Sequence, residues 1–291
     1  MSFLSNLKEI ARNRRRHHPV SEVSAGRAAE LRVAKILDER LSGTGWDYGA
    51  GLRVPDGRRK QEIDLVITTP AEIWLVELKN WSGFVRLEGD KVIQHRAGGR
   101  GVIDHGALLS KMRRKEKALR RYLKRSMADV PQTWSILVFC NDSVGLDEGL
   151  VGRDDLDVVG LREFVGALPL PEKGREPASE TIKEAREVLR ELGTWDLLWL
   201  HGGQILSGDL VSISVEGLNN RTRFKKLRFE VPRNYLAAFG SEPEIEIVAV
   251  ERDGSEHREV VDLDQSLRFH AAGQRQPQQF SLRHLLGLSF G

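Results

Sequence analysis

Between Gln61 and Trp81 the chain reads QEIDLVITTPAEIWLVELKNW, two β-rich runs, 62–68 and 73–79, joined by a turn at Pro70. A hairpin with Pro70 and Ala71 at its turn pairs Thr68 with Ile73, Val66 with Leu75, Asp64 with Glu77 and Glu62 with Lys79. Side chains alternate at period two, so those residues share one face, while Ile63, Leu65, Ile67, Trp74, Val76 and Leu78 take the other. Val66, Leu75 and Ile73 continue the charged face as apolar surface. The charges therefore lie at one end of a half-buried groove.

The same reading extends along the chain. AGRAAELRVAKILDERL has helical spacing behind Ser24 as N-cap, and Glu30, Ala34, Leu37 and Leu41 fall at i, i+4, i+7 and i+11, which puts an acid on the core-facing line. Residues 43–59 are turn-rich, FVRLEGDKVIQHR is a strand pair about Gly89 and Asp90, and residues 98–101 form a glycine-rich connector. A helix over residues 107–125 carries Leu108, Met112, Leu119, Tyr122 and Leu123 on one side and a basic stripe of Arg113, Lys117, Arg120 and Lys124 on another. TWSILVFC and DLDVVGL are strands, REFVGAL is a short helix, and after a break at 169–177 SETIKEAREVLREL is an amphipathic helix with Ile182, Ala185, Val188, Leu189 and Leu192 inward. This alternation predicts an α/β fold.

From Trp195 the pattern changes to short strands, DLLWLHG, GDLVSISVE, RFKKLRFEV, EIEIVAVER and HREVVDL, with a hairpin at Asp253 and Gly254, and predicts a small all-β barrel or sandwich. Arg221, Arg223, Lys225, Lys226 and Arg228 there could line a nucleic-acid surface, or the module could bind protein or form a homodimer. The expected division is a basic leader at 1–20, an α/β domain at 21–192 and a β-rich domain at 193–291.

Composition narrows the class. The 291 residues allow two domains of ordinary size. No apolar run approaches the ~20 residues of a membrane span, and the first residues lack the apolar segment of a signal peptide, so the expectation is a cytoplasmic protein without a membrane partner. The single cysteine, Cys140, sits in an apolar run and excludes an internal disulfide framework. Formal net charge is only +3, but positive charge concentrates in Arg12–His18 and in the helix at 107–125. In that helix Lys111, Arg113, Arg114, Lys117, Arg120, Arg121 and Lys124 are candidates for phosphate contacts, set against a merely solvated face.

Two carboxylates within a few ångströms repel, and a divalent cation such as Mg²⁺ is the usual way to keep both ionised. A lysine two residues beyond the second acid can hold the attacking water or the developing charge. Asp64, Glu77 and Lys79 thus have the pattern of a metal-dependent phosphodiesterase, which Glu30 could join around the cation. A cross-strand set of ion pairs is the alternative reading.

GRAAE at 26–30, EID at 62–64, LVELKNWSG at 75–83 and ALRRYL at 118–123, in this order, resemble the nuclease-related domain (NERD) proteins of the PD-(D/E)xK nuclease superfamily. The resemblance covers residues 26–123. It implies a mixed sheet flanked by helices, restriction-endonuclease-like, with Asp64, Glu77 and the Leu78 carbonyl as ligands of Mg²⁺ or Mn²⁺. It implies further that Lys79 is the catalytic lysine and Glu30 the first-helix acid, holding a second ion or its water. The substrate class it implies is DNA, with RNA left open. Many members carry glutamine where Lys111 stands here, which keeps a second expectation alive: a catalytically degenerate nucleic-acid-binding or scaffolding protein.

Overall fold

The computed structural model describes residues 21–57, 59–99, 101–151, 156–170, 176–230, 244–262, 264–272, 274 and 276–291, without the side chains of 21–25, 27 and 59. The basic leader at 1–20 lies outside the described residues. The described chain divides into two compact units, the first ending at Gly193 and the second spanning Thr194–Gly291.

The first unit opens with α1 (Ser21–Leu41), then β1 (Asp47–Asp56), β2 (Arg59–Thr68), β3 (Glu72–Lys79), β4 (Gly83–Glu88), β5 (Lys91–His95) and β6 (Val102–Asp104). It continues through α2 (Leu108–Ser126), β7 (Gln132–Phe139), β8 (Val144–Leu146), α3 (Glu148–Val151), β9 (Asp157–Gly160), α4 (Leu161–Ala167) and α5 (Glu180–Arg190). The main sheet runs β1-β2-β3-β7-β9, antiparallel through β3 and parallel from β3 to β9, with a second sheet ordered β6-β5-β4-β8. This is the mixed α/β architecture that the sequence predicts. A parallel step from β3 to β7 requires a crossover, which the second sheet's hairpin and α2 supply.

β3 is the central strand and is covered on both faces, so it reads as a nearly continuous apolar run. On one face Leu65, Ile67, Val76, Leu78, Ile136 and Val138 pack with α1 and α4 through Ala29, Val33, Leu37, Leu161 and Phe164. On the other, Val66, Ile73 and Leu75 pack with α2 and α5 through Leu119, Leu123, Ile182 and Val188. The first turns of α2 pack separately, with Leu108, Leu109 and Met112 against Val85, Val92 and Phe139.

Two expectations shift here. The helix α1 starts at Ser21, so Ser24 lies inside it rather than at its cap. Its buried line shares Leu37 and Leu41 with the expected stripe but starts with Ala29 and Val33 in place of Glu30 and Ala34, and Glu30 is exposed. The β2–β3 register is as read, Val66 opposite Leu75 and Thr68 opposite Ile73, but the pairing stops at Leu65 and Val76. Beyond that point β2 follows β1 alone; Glu62 lies opposite Arg53 and is exposed, so the register puts no Lys79 across from it.

The second unit is one antiparallel sheet of eight strands that curls round a single apolar core as a half-barrel. Its strands are β10 (Asp196–Leu200), β11 (Ile205–Ile213), β12 (Phe224–Glu230), β13 (Glu244–Glu251), β14 (Glu256–Asp262), β15 (Ser266–Ala271), β16 (Gln278–Ser281) and β17 (Leu285–Ser289). The last three were not separated by the sequence pattern. β17 inserts between β12 and β10, closing the middle of the sheet with the chain's end. The expected basic surface is largely neutralised. Arg223 pairs with Glu251 at 2.8 Å, Arg228 with Glu256 at 2.8 Å, and Arg221 with the fully buried Asp196 at 2.7 Å.

Asp196 also accepts the Leu210 and Gly291 amides at 2.7 and 3.2 Å, tying the sheet's start to its end. Removing one partner of a buried pair leaves an uncompensated charge. Arg221→Ala is therefore expected to cost about 2–4 kcal/mol in a urea unfolding curve, with Asp196→Asn, which keeps an amide-accepting oxygen, less harmful. Equal stability of Arg221→Ala and the parent chain would show that Arg221 is only a surface partner.

Candidate active site

The β2–β3 ladder breaks because a side chain takes over from the backbone. The Leu78 amide, which the next ladder pair would satisfy, donates instead to Asp64 Oδ2 at 2.8 Å. In a β-strand the N–H and C=O of one residue point to the same edge, so the Leu78 carbonyl faces the same gap. Cys140 donates to the Lys79 carbonyl at 2.8 Å, which anchors the opposite edge to β7. The strand end is thus fixed on one side and opened on the other.

Asp64 and Glu77 meet at this opening, with side chains 16% and 7% exposed. Lys79 Nζ donates to Glu77 Oε1 at 2.6 Å and lies 4.0 Å from Asp64 Oδ2. A second ammonium, Lys115 Nζ from α2, donates to Glu77 Oε2 at 2.5 Å. Burial and the neighbouring Glu77 push the Asp64 carboxyl up to about 6, against the pull of both lysines and the Leu78 amide. Glu77 is pushed up by burial too, but Lys79 and Lys115 outweigh it and hold the carboxyl below its ordinary range. Burial draws Lys79 down, while Glu77 and Asp64 more than offset it, so Lys79 titrates above an ordinary lysine and stays an ammonium at neutral pH.

Beyond Lys79 the chain turns at Gly83 (φ +88°), where a Cβ would stand 2.0 Å from the His95 carbonyl; only glycine fits. That turn sets Trp81 against the His105 ring, stacked with centroids 3.6 Å apart. His105 Nε2 donates to Gln94 Oε1 at 3.0 Å, and Gln94 Nε2 to the Ser82 carbonyl at 2.8 Å.

The predicted site residues divide accordingly. Asp64, Glu77, Leu78 and Lys79 come together. Glu30 is exposed on α1, close enough to raise the pKa of Lys79 but outside the buried cluster. Lys111, Arg113, Arg114, Lys117, Arg120, Arg121 and Lys124 are exposed on α2. Arg121 pairs with Asp56 at 3.0 Å, and Arg120 lines a cavity with Glu116, Ser135 and Asp157. Lys115 is the residue that sequence reasoning missed. It fills the gap between Met112 and Leu119 on the buried line of α2, and a lysine on that line was a legible signal.

Among the described residues no group of three or more His, Cys, Asp or Glu side chains is placed to hold a metal. Two buried carboxylates and a backbone carbonyl nonetheless suit a hard cation such as Mg²⁺, which keeps several waters and takes one or two protein carboxylates. The raised Asp64 fits too: its charge is incompletely compensated by the two lysines.

Residues 25–140 match the family model described as nuclease-related domain, NERD. The probable kinase PglW of Streptomyces coelicolor is 31% identical over 136 residues, which are 46% of this chain and 8% of that protein. A crystal structure of a protein of unknown function, AF1548, aligns over 60% of this chain and 67% of its own at 13% identity, with a TM-score of 0.27.

The Asp64 shift has a stability consequence. Its native pKa near 6 exceeds the ordinary 3.8, so the folded state binds the extra proton between those values. Ionised Asp64 therefore opposes folding above pH 6, and its cost fades as pH falls through 6 toward 4. Asp64→Asn keeps an oxygen for the Leu78 amide and removes the charge; metal-free protein should gain about 1–3 kcal/mol at pH 7–8. Melting curves across pH check this. A gain that persists undiminished at pH 4 would refute the assignment.

Proposed function

With residues 25–140 forming a nuclease-related domain, we propose that this chain hydrolyses phosphodiester bonds of DNA with Mg²⁺ or Mn²⁺ as cofactor. One observation carries the reading: Asp64 and Glu77 are buried side by side at the opened edge of β3, with Lys79 donating to one and 4.0 Å from the other. Asp64, Glu77 and the Leu78 carbonyl would hold the ion, which when bound supplies Lewis-acid activation of water and charge neutralisation at the phosphoryl oxygens.

Lys79, already an ammonium, has no lone pair with which to take a proton from water. It orients the water by donating to it and meets the charge that grows on the phosphorane. The water oxygen forms the new P–O bond, the ester P–O bond breaks, one water proton goes to solvent and the leaving alkoxide takes another from solvent. Glu30, at the rim, would hold a water of the ion. The exposed cations of α2, Lys111, Arg113, Arg114, Lys117, Arg120, Arg121 and Lys124, would track the backbone phosphates. The β-rich unit would select substrate or a partner, a second copy of the chain included. A lone, buried, free cysteine accords with a cytoplasmic setting.

A second reading, a nucleic-acid-binding scaffold without turnover, is favoured by both oxygens of Glu77 accepting from lysines. Chemistry separates the two. Purified protein should cut plasmid or linear DNA with added Mn²⁺, and Asp64→Asn and Lys79→Ala should each abolish cutting while leaving DNA binding intact. Salt-dependent binding with no product under any divalent ion would establish the scaffold instead. In either case Arg113→Ala with Arg120→Ala should flatten the slope of log affinity against log salt by roughly 1.8, about 0.9 for each phosphate contact.

A further inference from the structure

Lys115 is the least exposed lysine or arginine of α2. Its side chain is 14% exposed, and its helix is clamped on both sides of it: Leu108, Leu109 and Met112 pack toward the second sheet, Leu119 and Leu123 toward the main one. A helix fixed in this way delivers the ammonium to one place. That place is Glu77 Oε2, while Lys79 takes Oε1.

Lys79 alone would leave the two buried carboxylates one negative charge in excess, and Lys115 makes up the difference. Asp64 and Glu77 against Lys79 and Lys115 sum to zero. One divalent ion then brings the centre to two positive charges, which match a phosphodiester monoanion together with an attacking hydroxide. Two divalent ions would leave two positive charges unmatched among side chains that are 7% to 19% exposed, where charge is poorly screened.

We infer that Lys115 is the built-in second cation of this centre, a positioning residue that fixes Glu77 Oε2 and limits the centre to a single divalent ion. The inference rests on the metal-dependent reading above and deepens it. Lys115 occupies the electrostatic role that a second ion would otherwise take, so Glu30 is left to a water of the first.

Calorimetric titration of the full chain with Mn²⁺ alone, paired with counting of bound Mn²⁺ by electron paramagnetic resonance, tests this without any turnover. Wild type should take one ion per chain, and Asp64→Asn should lose it. Lys115→Ala should bind the first ion ~10-fold tighter or admit a second, because a like charge has been removed from beside the ligand. Lys115→Arg should return to one ion with near-parental affinity. Should the alanine variant fail to fold by circular dichroism, Lys115→Gln, which keeps the shape and a donor, replaces it with the same expectation. Two Asp64-dependent ions in wild type, or a charge-removing variant with unchanged stoichiometry and affinity, overturns the inference while leaving the metal-dependent reading intact. No Asp64-dependent Mn²⁺ binding at all overturns both.

Discussion

Two carboxylates buried side by side are the constraint on which the first unit depends. Each ionised acid taken out of water costs several kcal/mol unless cations and hydrogen-bond donors meet it. Asp64 and Glu77 obtain those donors from two elements: the Leu78 amide and Lys79 from β3, and Lys115 from α2. The helix must therefore sit over the sheet at one height, and the two apolar contacts that clamp it serve the charge cluster as much as the core. The broken β2–β3 ladder follows from the same need, because the amide given to Asp64 is withdrawn from the backbone pairing.

The second unit handles its charges differently. Arg223 just before β12, Arg228 in β12 and Arg258 in β14 have Glu251, Glu256 and Glu246 within 2.8 to 3.1 Å, in partly exposed pairs. Such pairs contribute little individually, of order 0.2–1 kcal/mol. Their effect is on the field, since each arginine beside a glutamate attracts phosphate weakly. Lys111, Lys117 and Lys124 are exposed on α2. The formal net charge of +3 says nothing of where these cations lie.

How much of this was legible follows from the kind of order involved. Period-two alternation located β2, β3 and their register, and helical spacing located α2 and α5, because each buried face is written in apolar residues. The end of the ladder was not legible. Extending the register to Glu62 and Lys79 assumes that backbone pairs with backbone, and nothing in the string announces that the Asp64 carboxylate intercepts the Leu78 amide. Glu30 and Lys115 make an instructive pair. The same argument, a charge on an apolar line, was applied to Glu30, one residue off the buried Ala29, and was not applied to Lys115, where the line through Leu108, Met112 and Leu119 is secure. The line in α1 is ambiguous at its start, where Ala28, Ala29 and Ala34 stand on either side of Glu30, whereas leucines and Met112 define it in α2. In the second unit β17 escaped because LLGLS follows a polar stretch, and its place between β12 and β10 is set only by long-range pairing.

The groups around the cluster decide how its charge is presented. His105 stacks on Trp81 and donates to Gln94, and burial together with Lys79, Lys111 and Arg96 keeps its pKa below the ordinary histidine range. It is therefore neutral at pH 7 and adds no cation of its own. A protonated ring there would add a positive charge beside Lys79, Lys111 and Arg96. A neutral one braces the hairpin of β4 and β5 against the start of α2 and leaves the field to the lysines. Lys111 is exposed one helical turn before Lys115. The Lys115 and Lys79 side chains are only 14% and 19% exposed, so water screens the two inner ammonium groups less than it screens Lys111. That gradient places the strongest electrostatic interactions beside the opened edge of β3, where the Leu78 backbone and Asp64 face each other.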